Sequence, residues 1–109
     1  MISAGTYRHR VTIQSYDTSE DELGQPQRQW GDVLTNVSAL VEDLTGRELL
    51  AAQEVHSTVN VRIRLRYRPG VTPSMRVLYR GDSYNIEAVI RIDAVGVEMH
   101  LLCSTGLVE

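Results

Sequence analysis

Lysine is absent from this chain: all eleven of its basic residues are arginine. Cysteine is nearly absent, and a lone Cys103 excludes both an intramolecular disulfide and a cysteine-rich metal site. No apolar run approaches the ~20 residues of a membrane-spanning helix. No basic-then-apolar signal opens the chain, so the expected site of synthesis and accumulation is the cytoplasm. The three histidines, His9, His56 and His100, stand apart from one another and no cysteine cluster accompanies them, which argues against a zinc centre. No nucleophile-elbow, Walker-type or dinucleotide-binding glycine pattern occurs. The acids Glu20, Asp21 and Glu22 lack the alternation of a calcium loop and read as a solvated loop. Neither an enzyme nor a cofactor is expected, and neither a small-molecule substrate nor a membrane is an expected partner.

What the chain does contain is an arginine ladder. In Val59 to Arg68, V-N-V-R-I-R-L-R-Y-R, apolar residues alternate with Asn60, Arg62, Arg64, Arg66 and Arg68. Successive strand residues face opposite ways, so one face is apolar and the other carries four guanidinium groups. Exposed ion pairs contribute only about 0–1 kcal/mol each, so such a row does little for the fold of an isolated domain. It is either a solvated face with acidic neighbours or a surface that meets an acidic partner. Charge is also segregated along the chain: residues 1–16 carry +2, 17–43 carry −6, 44–80 carry +5 and 81–109 carry −4. That alternation suits subunits meeting acid to base. The net charge of −3 is unlike that of a dedicated nucleic-acid binder.

The 109 residues are expected to form one domain. Alternation predicts a strand over 8–16, with Val11 and Ile13 on its apolar face. An acidic loop over 17–25 ends at Gly24 and Pro26, and strands follow at 27–34, anchored by Trp30, and at 36–42. The only helix is expected over 44–56. Thr45 and Glu48 match a capping box, and Leu44 and Leu49 a hydrophobic staple. The ladder strand stops at Pro69-Gly70. A hairpin over 75–80 and 83–92 is expected to turn at Gly81-Asp82, with Tyr84, Ile86, Ala88 and Ile90 on one face. A last strand, 97–103, places Val97, Met99, Leu101 and Cys103 inward, and 104–109 form a tail. The fold class is therefore mainly β: a small antiparallel barrel or sandwich of six to seven strands with one short helix.

The order and spacing of these segments resemble phage head–tail joining proteins, the head-closure or stopper family. R-H-R-V-T-I-Q is followed by an acidic loop and Trp30, then by A-L-V-E-D-L-T-G-R-E-L-L-A-A-Q. R-I-R-L-R-Y-R, M-R-V-L-Y-R-G-D-S-Y-N-I and a final strand complete the pattern. The resemblance implies a homo-oligomeric ring in the virion, assembled in the bacterial host. Such a ring docks on adaptor and portal proteins, retains packaged double-stranded DNA and receives a tail-completion protein. It further implies that the segment Glu42 to Gln53, with Asp43, Thr45, Gly46, Arg47 and Glu48, reaches into the channel. Arg62, Arg64, Arg66 and Arg68 are the expected subunit interface, with Glu20, Asp21 and Glu22 as the acidic counterpart.

Three other readings compete. The arginines could bind nucleic acid, although strand alternation places Tyr67 with the apolar residues, away from them. A tail-completion protein would have similar size and composition. Arg80-Gly81-Asp82 spells an adhesion tripeptide but sits where a hairpin turn is expected.

Overall fold

The computed structural model describes residues 6–20, 22–92 and 97–105, with backbone alone for 17–20 and 26–28. Six strands surround the core: β1 (His9–Glu20), β2 (Pro26–Asp43), β3 (Val61–Arg66), β4 (Arg76–Tyr79), β5 (Asp82–Ile92) and β6 (Glu98–Thr105). One helix, α1 (Gly46–Val55), lies between β2 and β3. The strands close into a barrel in the order β1-β2-β3-β6-β5-β4, every pair antiparallel. Closure, rather than a two-sheet sandwich, leaves the barrel without an open edge.

The core is what alternation predicts over β1, β3 and β6. Val11, Ile13, Val61, Ile63, Leu65, Met99, Leu101 and Cys103 are buried, joined by Val37, Ala39, Val77 and Ile86. Burial pushes the Cys103 thiol pKa well up, as expected of a packing residue.

Five expectations are corrected, each for a local reason. The segments 27–34 and 36–42 form one strand, β2, interrupted by register shifts around Val33 and by Asn36 at φ 54°. These bulges bend β2 out of the barrel without ending it. Strand β1 continues through Asp17 to Glu20, paired with Gln29 to Pro26, so the acidic loop contracts to a turn. The β4–β5 turn is Arg80-Gly81, both at positive φ (55° and 84°), one residue earlier than expected. That is the conformation a two-residue hairpin turn with the favoured twist requires. In β5 a shift between Ile86 and Ala88 reverses the alternation, so Val89 packs on the core and Ile90 faces out. At the barrel mouth Tyr67 and Val97 emerge, 37% and 48% exposed.

Helix α1 departs from the expected cap. Thr45 is the N-cap residue in extended conformation but makes no side-chain capping bond. Gly46 opens the helix at φ 58°, a conformation that strains any residue with a Cβ. None of the helical residues is buried. The 106–109 part of the expected tail lies outside the described residues, whereas Ser104 and Thr105 complete β6.

Candidate interaction surface

The outward face of β3 divides into a neutralised half and an exposed half. Arg62 Nε donates to Glu42 Oε2 at 2.7 Å, and its Nη1 reaches Glu48 Oε2 at 3.0 Å. The first partner is its cross-strand neighbour in β2, and the second is on the first turn of α1. Glu48 therefore serves as an anchor for the helix on the barrel wall, in place of its expected role in a capping box. Burial works against the charge of Arg62, but the bonds to Glu42 and Glu48 prevail and its pKa is raised.

Arg64 points to a site that the sequence reading did not single out. Glu98, 2% exposed, accepts from Tyr7 Oη at 2.7 Å and from Arg64 Nη2 at 3.3 Å. His100 Nε2 lies 3.1 Å from its other oxygen. Burial alone would raise the carboxyl pKa; the bonds from Tyr7 and His100, with the Arg64 charge, overcome it and hold the pKa below its ordinary value. Tyr7 responds in the opposite sense: burial first, then the bond to Glu98, pushes its phenol up to about 12. The signal was present in E-M-H-L-L-C, where alternation sets Glu98 and His100 opposite the inward Met99 and Leu101. Cross-strand register then puts both beside the arginines, since Arg64 pairs with His100 and Arg66 with Glu98.

Arg66 and Arg68 are exposed, and Arg68 lies beyond the end of β3. The Arg66 guanidinium stands 5.8 Å from the Tyr7 ring centre. Tyr67 donates its backbone N–H to the Val97 carbonyl at 3.1 Å, and the Arg91 guanidinium lies 4.6 Å from its ring centre. Tyr67 is thus an exposed aromatic beside a cation from β5, Arg91, which does not belong to the β3 ladder.

The expected acidic counterpart sits on an arm. Strand β1 pairs with β4 only from Thr12 to Gln14, and β2 with β3 only from Ala39 to Asp43. Between these points β1 and β2 pair with each other alone. The base of this ribbon is bolted down where the Tyr16 and Trp30 rings meet at 5.0 Å, with the Arg76 guanidinium 4.1 Å from the Trp30 ring centre. Arg76 Nε also donates to Gln14 at 2.9 Å. Four further pairs, Asp17↔Gln29 to Glu20↔Pro26, extend beyond that base, about 13 Å at strand rise. Glu20 ends β1, Glu22 and Leu23 are exposed at the tip, and Asp21 lies outside the described residues.

The expected channel-closing residues are brought together at the β2–α1 junction. Glu42 is held by Arg62, and Thr45, Gly46, Arg47 and Glu48 are exposed. Asp43 lines a cleft of about 620 Å³ with Asn60, Asp82, Tyr84 and Thr105. No group of three or more metal-ligating side chains occurs among the described residues.

The profile of phage head completion proteins covers residues 2–106. The chain belongs to that family. It is 34% identical over 110 residues to head completion protein gp7 of Enterobacteria phage HK97, spanning 96% of this chain and 97% of the relative. Among solved structures, protein SF1141 from Shigella flexneri 2a superposes with a TM-score of 0.78 at 26% identity, covering 99% and 100% of the two chains. A chain from the virion of the native gene transfer agent particle shares the fold, with a TM-score of 0.58 at 17% identity over 91% and 94%.

Proposed function

We propose that this head completion protein is a structural virion subunit that closes the filled head and joins it to the tail. It acts as a homo-oligomeric ring between adaptor or portal proteins and a tail-completion protein, and it helps retain the packaged double-stranded DNA. The observation that supports this best is the full-length family match, joined to a barrel that projects an arm and a helix it cannot bury itself. Exposed Arg66 and Arg68 are the interface arginines in this reading, facing Glu20, Asp21 and Glu22 of a neighbour. Arg62 and Arg64 contribute by holding the wall that presents them.

The channel-closing segment is the β2–α1 junction: Glu42, Asp43, Thr45, Gly46, Arg47 and Glu48. Its movement into a channel requires release of the Arg62 clamp on Glu42 and Glu48. Amide exchange over 44–55 should therefore change when the ring assembles, and equal protection before and after would count against this segment.

Electron microscopy of particles made with and without the chain tests the whole proposal. Tailless heads that package DNA and lose it, restored by adding the protein, are the expected result. Normal tailed, filled particles in its absence would remove the proposal.

A further inference from the structure

The arm and the barrel mouth are complementary surfaces on one subunit. Leu23, at the tip, presents its side chain 84% exposed. An isolated two-stranded ribbon is marginal in water, and among the described residues no third strand pairs with this one beyond its Tyr16–Trp30 base. The mouth offers what such a tip requires. Tyr67 and Val97 form an exposed apolar pair joined by a backbone hydrogen bond, flanked by Arg66, Arg68 and Arg91. The arm, residues 17–29, holds four acids against one base, Arg28, whereas 64–68 holds three arginines and no acid.

We propose that the arm docks on a second copy of this chain, with Leu23 seated on Tyr67 and Val97 and Glu22 against the flanking arginines. This rests on the ring-subunit reading and names the contact that would build the ring. Because tip and mouth are different surfaces, the contact is head-to-tail, so copies add until they close.

That asymmetry supplies the test. Leu23→Glu disables the tip, and Val97→Glu or Arg68→Glu disables the mouth; all three positions are exposed, and thermal melts check folding. Each variant alone should associate at least about tenfold more weakly than wild type in sedimentation velocity. Mixing tip and mouth variants should yield capped dimers, because one competent interface remains. Rings that assemble normally from either variant would overturn this contact and leave the ring reading intact. Wild-type chain that stays monomeric at millimolar concentration, and on particles lacking it, would overturn both. If the mouth variants assemble normally but lose salt-sensitive binding to duplex DNA, the mouth is a nucleic-acid surface and the arm contact is wrong.

Discussion

The β3–β6 wall and the β1–β2 arm are built from the same kinds of residue and have opposite economies. On the wall, charge meets charge inside the chain: Arg62 with Glu42 and Glu48, Arg64 with buried Glu98. On the arm, the sequence sets four acids, Asp17, Glu20, Asp21 and Glu22, against the single base Arg28, and Leu23 at the tip is 84% exposed. A charged stripe in sequence thus conflates two roles, holding a surface and offering one. The largest predicted effect separates them. Arg64→Glu sets a second carboxylate against Glu98 and should destabilise the fold by about 3–5 kcal/mol, as loss of one partner of a buried pair does. Arg68→Glu should leave the urea midpoint nearly unchanged. Similar losses for both would show that the stripe is one structural unit.

Tyr7→Phe comes next. It leaves one Glu98 oxygen short of a donor, which costs about 1–3 kcal/mol. The pH dependence sharpens the attribution. Glu98 has a lowered folded pKa, so its contribution is present above the ordinary carboxylate range and is lost as pH falls through the folded value. Tyr7 has a raised one, about 12 against 10.0, so its contribution is full below about pH 10 and is lost as pH rises through about 12. Chemical denaturation across pH should show both limbs in wild type and flatten both in Tyr7→Phe. An unchanged acid limb would place the carboxylate stabilisation elsewhere.

Gly46→Ala ranks third. The left-handed start of α1 should make it cost about 1–2 kcal/mol, measurable by urea titration, whereas a gain would mean the helix starts elsewhere. The position also shows what sequence reading could reach. Alternation found the inward residues of β1, β3 and β6 because a buried face imposes period two. It failed at Ile90, where one extra residue in β5 reverses the faces, and around Val33 and Asn36, where bulges bend a single strand. The capping box failed because Glu48 had a stronger partner in Arg62, fourteen residues away and invisible to local pattern. Glu98 was legible in principle, but only once β3 and β6 were known to be neighbours.

The smallest effect on stability carries the sharpest functional contrast. Helix α1 has ten residues, too few to be stable alone, and buries none of them. Its ties to the body are the Arg62–Glu48 pair and the bond from Gln53 Nε2 to the Val59 carbonyl at 3.0 Å. Leu50 and Val55 face away, 67% and 77% exposed, so Leu50→Glu should shift unfolding by no more than about 0.5 kcal/mol. If the helix serves only to link β2 to β3, particles carrying Leu50→Glu should keep their DNA and bind tails like wild type. If α1 meets its neighbours in the ring, the same substitution should produce heads that leak DNA from a subunit that melts normally. Folding and assembly then respond to different residues of one helix: Glu48 and Gln53 toward the barrel, Leu50 and Val55 toward the particle.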